Sequence, residues 1–371
     1  MQVPTDIPPE KRILDENKAL IDAFVVNNIK RNNAYLNKAE LKNFNDNSRY
    51  EGQLVNDKRE GKGIYFYQNG DIYFGDWKDD RFHGKGCYIF AKGERYEGDL
   101  LNGKKNGFGV YHYLNGNTYE GNWMDDLKQG KGIYNYFKTG EVYNGEWVKG
   151  LKSGAGTFSM AGGEVYKGSF KNGVKDGAGV IQYKDGAVFQ GKFAGDKATG
   201  DAEFTYANGD KYRGEFNGSK KNGFGLYSFA AGGTMEGEFR DDLPNGRCII
   251  KYPNGDVFDG EVKGGIKDGN GTMKYSNGDM YKGTFVNDMR QGMGAYTYHD
   301  TGDVYEGEWN NNMRNGKGVY RYKNGDRFEG VWANGGKVGT GKVMFAGGET
   351  ILGEFKDDRW VETGTARVQG Y

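Results

Sequence analysis

The sequence has little of what catalytic, secreted and membrane-spanning chains usually depend on. Its 371 residues include only 2 cysteines, 3 histidines and 5 prolines, and no long apolar run. Without such a run the sequence predicts no transmembrane helix, and its first residues lack the basic flank and apolar core of a signal peptide. Scarce proline without a Gly-X-Y period excludes collagen. Because 51 basic and 51 acidic side chains cancel, the net charge gives no long-range attraction for nucleic acid.

Glycine and aromatic residues are abundant instead, and the glycines are unevenly placed. All 65 glycines lie in residues 49–371, and residues 1–48 contain none. Beyond this boundary a unit reading Tyr-x-Gly-x-Trp/Phe recurs every 23 residues, with 24 in two places. Its fourteen anchor glycines are Gly52, Gly75, Gly98, Gly121, Gly145, Gly168, Gly191, Gly214, Gly237, Gly260, Gly283, Gly307, Gly330 and Gly353. A fixed period of this size indicates a repeat architecture.

Each unit has the pattern of one β-hairpin. In residues 63–77 two stretches rich in β-branched and aromatic residues flank Asn69-Gly70, a pair that favours a type I′ turn because both positions need positive φ. In the two longer units the extra residue lies just before the turn glycine, where a hairpin tip tolerates insertion. The sequence therefore predicts an all-β fold, an elongated twisted antiparallel ribbon of about fourteen stacked hairpins. At the usual strand spacing its 28 strands would extend about 130 Å.

Alternation along the strands predicts one aromatic face and one wettable face. Tyr143, Gly145 and Trp147 share a face, because side chains alternate along a strand. We expect an aromatic seam there, for which the candidate residues are Tyr119, Trp123, Tyr143, Trp147, Tyr305 and Trp309. Two interpretations of the seam stay open: it is the core of the fold itself, or part of it is a groove for a partner segment.

Basic residues recur at one position of the repeat, two residues before the first glycine of each Gly-x-Gly pair. They are Arg59, Lys105, Lys128, Lys152, Lys175, Lys221, Lys267, Arg290, Arg314 and Lys337. If every loop projects alike, these cations form a ladder along one margin that could bind acidic headgroups or acidic protein tails. The alternative is that each base pairs with a nearby carboxylate and is simply solvated.

The glycine-free residues 1–48 predict a helical segment. A helix should begin at Pro8 or Pro9 and carry apolar residues at helical spacing, among them Ile21, Phe24 and Val25. A shorter helix is expected around residues 36–44. The first helix either docks on its own first repeats or acts as an arm for a partner or second subunit. We divide the chain into this segment, a repeat array at 49–359, and a degenerate cap or tail at 360–371.

The repeat unit resembles the MORN (membrane occupation and recognition nexus) repeat. The resemblance rests on blocks such as YEGNWMDDLKQGKGIYNYFKTG at 119–140 and YEGEWNNNMRNGKGVYRYKNG at 305–325, and it covers nearly all of the chain. It implies stacked hairpins in an elongated ribbon. Since the chain is almost purely repeats, it is most similar to the cytoskeletal and ciliary MORN scaffolds of protists, including radial-spoke components.

The sequence does not predict an enzyme. His83, His112 and His299 lie in different repeats, so a repeat ribbon keeps them apart and no catalytic triad can assemble. Cys87 and Cys248 are seven repeats apart, too far for a disulfide. No Gly-x-Gly pair has the context of a nucleotide-binding loop. We expect no catalytic residue, no metal site and no cofactor.

The function expected from the sequence is therefore structural. The leading hypothesis is a scaffold that holds other proteins of a large assembly, in the cytoplasm at the cytoskeleton or in a ciliary axoneme, with a homodimer possible. One alternative is a peripheral membrane tether that binds acidic phospholipids weakly through the basic ladder. Another is a docking subunit for a signalling enzyme.

Overall fold

The computed structural model describes residues 9–24, 39–361 and 367–368 of the chain. It is nearly all-β, with one short helix, α1, at Pro9–Phe24. The chain divides into two units: residues 1–186 with 192–196, and residues 187–191 with 197–371. In each unit, strands that follow one another in the sequence pair antiparallel, except that the last strand, at 367–368, pairs with the strand at 350–356.

The first unit holds α1 and thirteen complete strands. They are β1 (Ala39–Asn43), β2 (Arg49–Val55), β3 (Lys58–Phe66), β4 (Ile72–Lys78), β5 (Arg81–Ile89), β6 (Arg95–Leu101), β7 (Lys104–His112), β8 (Thr118–Met124), β9 (Leu127–Asn135), β10 (Val142–Val148), β11 (Leu151–Ser159), β12 (Val165–Lys171) and β13 (Val174–Gln182).

Strand β14 (Val188–Ala194) is divided between the units. The second unit holds β15 (Lys197–Thr205), β16 (Lys211–Asn217), β17 (Lys220–Ser228), β18 (Thr234–Arg240), β19 (Leu243–Lys251), β20 (Val257–Lys263), β21 (Ile266–Lys274), β22 (Met280–Val286), β23 (Met289–Thr297), β24 (Val304–Asn310), β25 (Met313–Arg321), β26 (Arg327–Ala333), β27 (Gly336–Met344), β28 (Thr350–Lys356), β29 (Arg359–Val361) and β30 (Arg367–Val368).

The tight turns are the connections that leave a seven-residue strand and enter the nine-residue strand after it. Between β8 and β9 the turn is Asp125-Asp126, and both residues have positive φ, at 47° and 67°. The pair is the type I′ geometry that matches strand twist. Asn, Asp and Gly, which tolerate this conformation, fill most of these turns.

The predicted type I′ turn at Asn69-Gly70 is wrong. Gly70 has a φ of 89° but Asn69 is not among the residues with positive φ. The N–H of Gly70 donates to the carbonyl of Tyr67 at 3.0 Å, and the N–H of Tyr67 to the carbonyl of Asp71 at 2.9 Å. This is a three-residue loop, a type I turn closed by a left-handed residue, so only the glycine needs a left-handed conformation. We call it the wide loop.

The extra residue of the longer units lies in the wide loop, as the sequence predicts. At residues 137–140 the N–H of Gly140 donates to the carbonyl of Tyr136, one residue further back than in the shorter units. The strands on either side keep the same register, with Tyr143 opposite Tyr134 and Gly145 opposite Gly132.

A ring over a pair of glycines is the packing unit of the core. The Tyr119 ring is fully buried and lies over Gly132, where an added Cβ would be 2.6 Å from a ring carbon. Its hydroxyl donates to the carbonyl of Asn122 at 2.9 Å. The same position holds most of the largest fully buried side chains: Tyr50, Tyr73, Tyr96, Tyr143, Tyr166, Tyr212, Phe258, Tyr281, Tyr305 and Phe328. The repeat needs glycine here because the ring occupies the space of a side chain.

In most repeats a second aromatic residue connects the strand pair to the preceding one. The indole N–H of Trp123 donates to the carbonyl of Gly109 at 3.1 Å, and that of Trp147 to Gly132 at 3.1 Å. Trp123 also packs edge-on against Tyr119, with ring centroids 5.0 Å apart. Buried aromatic residues of successive hairpins therefore interlock on this face.

Helix α1 docks on the opposite face of the first repeats. Its Leu20 and Ile21 pack against a buried cluster formed by Ile64, Phe74, Cys87 and Ile89. The wettable second face expected from the sequence is thus apolar under the helix. The described part of the helix begins at Pro9, and its contacts confirm that it docks on the chain's own repeats.

The short helix expected around residues 36–44 is wrong, because residues 39–43 form strand β1. Its register places Ala39 opposite Gln53 and Asn43 opposite Arg49. An edge strand such as β2 leaves a row of unpaired backbone groups, and pairing with β1 satisfies them. That requirement overrides local helical spacing. The predicted continuation of α1 through Val25 lies outside the described residues.

Candidate partner-binding surfaces

An unbroken chain of touching rings runs along the aromatic face of the first unit. The four wide loops between residues 67 and 141 each begin with an aromatic residue, and this ring packs on the ring two residues earlier and on a ring of the next hairpin. Tyr111 and Tyr113 lie 4.5 Å apart between ring centroids, and Tyr113 lies 5.6 Å from Tyr134. We call this row the tyrosine ladder. Its members are Tyr65, Tyr67, Tyr88, Phe90, Tyr111, Tyr113, Tyr134, Tyr136 and Phe158.

The wide-loop rings of the ladder are half-buried, whereas the seam residues beneath them are buried. Tyr119 and Tyr143 are fully buried, and Trp123 and Trp147 are nearly so. Tyr305 and Trp309 are likewise buried in the second unit. The seam predicted from the sequence therefore lies inside the aromatic face, and the wide-loop rings above it are the ones that a partner can reach.

The recurring basic residues lie on strands, with their charged groups held against these rings. The Lys128 ammonium is 4.3 Å from the Tyr134 ring centroid, 4.9 Å from Trp147 and 5.1 Å from Tyr119. The other nine also lie over rings, namely Arg59, Lys105, Lys152, Lys175, Lys221, Lys267, Arg290, Arg314 and Lys337. This is a cation–π arrangement rather than a projecting loop ladder. Arg59 and Lys267 also pair with a carboxylate, Asp80 at 2.9 Å and Asp288 at 3.5 Å, as the alternative interpretation expects.

Burial lowers the pKa of three of these cations. Desolvation, together with the positive charge of Lys105, lowers the pKa of Lys128 to about 8. Burial also lowers the pKa of Lys105 and of Lys152. By contrast, Lys58 is exposed, and its hydrogen bond with Asp79 raises its pKa. The basic column is thus partly withdrawn from solvent.

One repeat shows what the cation position requires. Phe82 stands there instead of a base, stacked on Tyr73 with ring centroids 4.0 Å apart and packed against Trp77 at 5.1 Å. The position can therefore be filled by an aromatic ring, which indicates that the long side chain serves packing as well as charge.

A row of exposed apolar side chains flanks the tight turns of the first unit on the second face. Leu101, Met124, Leu127, Val148 and Leu151 belong to three successive hairpins and are each 44–49% exposed. In register, Met124 pairs with Leu127 and Val148 with Leu151. Exposed apolar residues grouped in this way are typical of interaction surfaces. Their positions beside the turn pairs repeat along the sequence, but none of the candidate sites predicted from the sequence includes them.

The helix site combines apolar packing with a buried polar contact. The side-chain amide of Asn17 donates to the carbonyl of Gly93 at 2.6 Å, and Arg95 donates to the Asn17 carbonyl oxygen at 2.9 Å. Asn17 and Arg95 are both buried. Ile21 contributes to the apolar contact, while the side chain of Phe24 and all of Val25 lie outside the described residues. The continuous apolar runs at 64–67 and 72–74 are the sequence signal for a strand pair covered on both faces.

Neither cysteine nor acidic clusters form a chemical site in the described residues. Cys87 and Cys248 are free and buried, and burial raises the pKa of both thiols. In residues 9–24, 39–361 and 367–368 no group of three or more His, Cys, Asp or Glu side chains could hold a metal ion. In this same part of the chain no helix is long and apolar enough to cross a bilayer.

The repeat geometry agrees with a known family. The sequence profile of the MORN repeat matches twelve segments: 50–72, 73–95, 96–118, 119–138, 143–165, 166–188, 189–211, 212–234, 236–257, 258–280, 281–302 and 305–327. The chain belongs to the MORN repeat family.

No curated protein matches the chain. Among solved structures, the TCP10 domain of CPAP from Danio rerio is 16% identical, with a TM-score of 0.32, over 53% of this chain and 91% of that one. The SAS-4 (dCPAP) TCP domain of Drosophila melanogaster, solved with a proline-rich motif of Ana2 (dSTIL), is 14% identical. It has a TM-score of 0.20 and covers 61% of this chain and 90% of that one.

Proposed function

We propose that this protein is a non-enzymatic scaffold that holds other proteins along its repeats, in a ciliary axoneme or another microtubule-based cytoskeletal assembly. The observation that carries the proposal is that repeats make up most of the chain. Residues 50–327 match MORN repeats almost without interruption, and the repeated side chains are used for packing. A series of equivalent surfaces at regular intervals suits a role in which partners are held at fixed spacing.

Two surfaces of the first unit support contact with proteins. The half-buried wide-loop rings of the tyrosine ladder offer flat aromatic area, and the exposed apolar row at the tight turns offers Leu, Met and Val side chains. Aromatic residues and methionine are enriched at protein interfaces. The resemblance of the repeat blocks to protist cytoskeletal and ciliary MORN proteins favours this setting over others.

Fractionation of native cells tests the proposal. The chain should stay in the cytoskeletal or axonemal pellet after extraction with non-ionic detergent, and moderate salt should not release it. Cross-linking of that pellet would then identify its neighbours. Release by detergent alone would contradict the scaffold and favour the membrane tether.

The tether receives less support from the site. Its proposed ligands for acidic headgroups are the basic residues, and Lys105, Lys128 and Lys152 have lowered pKa values and lie against rings. Headgroup binding through such cations would require their withdrawal from the rings. A docking role for a signalling enzyme would use the same surfaces as the scaffold, and a sub-stoichiometric, exchangeable partner in the cross-linking experiment would indicate it.

A further inference from the structure

We propose that the tyrosine ladder of the first unit binds a proline-rich segment of a partner in the polyproline II conformation, with proline at every third residue. This inference names a partner class for the proposed scaffold and rests on that function. It is argued from the continuity, the spacing and the hydrogen-bonding groups of the ladder.

The ladder is continuous over successive hairpins. The distances between neighbouring ring centroids alternate. A wide-loop ring is close to the strand ring two residues before it and further from the first ring of the next hairpin. Tyr134 and Tyr136 are 4.5 Å apart, and Tyr136 is 6.3 Å from Phe158. In the second unit the corresponding row is interrupted, because Ile250 occupies the strand position at which the first unit has Tyr111 and Tyr134. The first unit therefore offers the longest row of rings.

The spacing of the ladder matches one ligand conformation. Each hairpin adds two strands, so equivalent rings recur about every 9.6 Å along the sheet. A polyproline II helix has three residues per turn and rises about 9.3 Å in that turn. A segment with proline at every third residue would place one pyrrolidine ring on each wide-loop ring. The difference of about 0.3 Å per repeat stays small over four or five hairpins.

The hydrogen-bonding groups beside the rings also fit. A proline-rich segment has free backbone carbonyls and few N–H groups, so its complement is a surface of donors. The wide-loop residues Tyr67, Tyr113 and Tyr136 each carry a phenolic hydroxyl, which can donate a hydrogen bond to a carbonyl. Aromatic-lined grooves are the general mode of polyproline II recognition.

Binding of synthetic peptides to the full chain tests the proposal. The probes are fluorescein-labelled (Pro-Pro-Gln)n peptides with two to six triplets, measured by fluorescence anisotropy. Affinity should increase with each triplet up to four or five and then level off, because the ladder ends. A permuted peptide of the same composition, in which glutamine falls on all three faces of the helix, should bind about tenfold more weakly.

Matched variants locate the site. Tyr113→Leu removes a ladder ring and should weaken binding about fivefold or more, roughly 1 kcal/mol. Phe108→Leu changes a ring on the second face that is 48% exposed, and should leave binding unchanged. A benzophenone-bearing (Pro-Pro-Gln)4 peptide, cross-linked to the unmodified chain, should label the wide loops at 67–71, 90–94, 113–117 and 136–141. This mapping stays informative if Tyr113→Leu fails to fold.

Three results would overturn the inference. They are no saturable binding up to about 1 mM peptide, equal affinity for the permuted peptide, or cross-links confined to the second face. None of them bears on the scaffold proposal, because detergent fractionation reports retention in the cytoskeleton independently of this peptide class.

Discussion

Arg95 and Asn17 are joined by a hydrogen bond of 2.9 Å between two buried side chains that lie 78 residues apart in the sequence. Asn17 also donates to the carbonyl of Gly93. One helix side chain therefore fixes α1 both to the wide loop before β6, through Gly93, and to Arg95, the first residue of β6. Since buried hydrogen bonds are costly to leave half-made, this contact sets where the helix sits on the second face.

Loss of the Asn17 contacts should loosen α1 and uncover Cys87. Asn17→Ala leaves Arg95 without one buried partner, which should weaken docking by about 1–3 kcal/mol. Because Cys87 belongs to the cluster beneath the helix, its thiol should react faster with a maleimide. Cys248 serves as the internal control, and Asp15→Ala, on an exposed part of the helix, as the matched variant. Equal labelling of Cys87 in both variants would show that Asn17 does not hold the helix.

The glycine under the Tyr119 ring should be intolerant of even one methyl group. Gly132→Ala would place a Cβ 2.6 Å from a ring carbon, so we expect a loss of about 3 kcal/mol in the free energy of unfolding. Gly150→Ala is the matched control, since that site has a φ of 86° and open space around it. Backbone conformation alone should cost about 1–2 kcal/mol there. Urea unfolding followed by circular dichroism measures both, and an equal loss would exclude steric conflict as the cause.

Two adjacent aspartates in one tight turn should differ in their contribution to stability. Asp126 accepts a hydrogen bond from the backbone N–H of Lys105 at 3.0 Å and returns its own N–H to the Lys105 carbonyl at 3.1 Å. Asp125 makes an exposed ion pair with Lys104. We expect Asp126→Ala to cost about 1–2 kcal/mol more than Asp125→Ala, because exposed ion pairs contribute little. Both residues have positive φ, so backbone strain is common to the two variants. Similar melting temperatures for both would contradict the role of the side-chain bond.

Stability should depend on pH through Lys128. The pKa of its ammonium falls from 10.5 to about 8 on burial. Between these values the unfolded chain holds more protons than the folded chain, so the free energy of unfolding rises with pH across this window, by up to about 1.4 kcal/mol per pH unit. Below pH 8 the group is charged in both states and this gain is absent.

A comparison with Lys128→Met isolates the effect, because contributions of the tyrosines are common to both proteins and cancel. The difference in the free energy of unfolding, natural protein minus variant, should increase from pH 7 to pH 9.5. NMR titration of lysine side chains gives a direct check, with Lys58 as the control whose pKa is raised. A Lys128 pKa near that of Lys58 would mean that contact with the rings compensates for the loss of water.

The period of the repeat made much of this fold predictable from sequence, and the exceptions have physical causes. Glycine, tyrosine and tryptophan at fixed spacing indicate strand pairing and the aromatic face, since alternation assigns Tyr143, Gly145 and Trp147 to one side. The turn at Asn69-Gly70 was assigned the wrong type because Asn-Gly suits both a type I′ turn and the end of a type I turn, and local sequence does not separate them.

The position of the basic side chains was not predictable from the repeat alone. The side chain of a lysine near a turn usually reaches solvent. Only the distances from the Lys128 ammonium to the neighbouring rings show that this group packs against the aromatic face of the sheet. Strand β1 was missed for a similar reason. Its residues carry no strong strand pattern, and its pairing with β2 satisfies an edge that only the assembled sheet presents.

The wide loops have a consequence for how such a chain can change over time. In the shorter unit the indole of Trp77 reaches back 14 residues to the carbonyl of Gly63, and in the longer units Trp147 and Trp309 reach back 15 residues to Gly132 and Gly294. The same bond survives an inserted residue because the insertion is absorbed at the tip. The sequence of each wide loop can thus change, and even gain a residue, without disturbing the strands on either side. Over evolution, surface loops of this ribbon can therefore vary one repeat at a time.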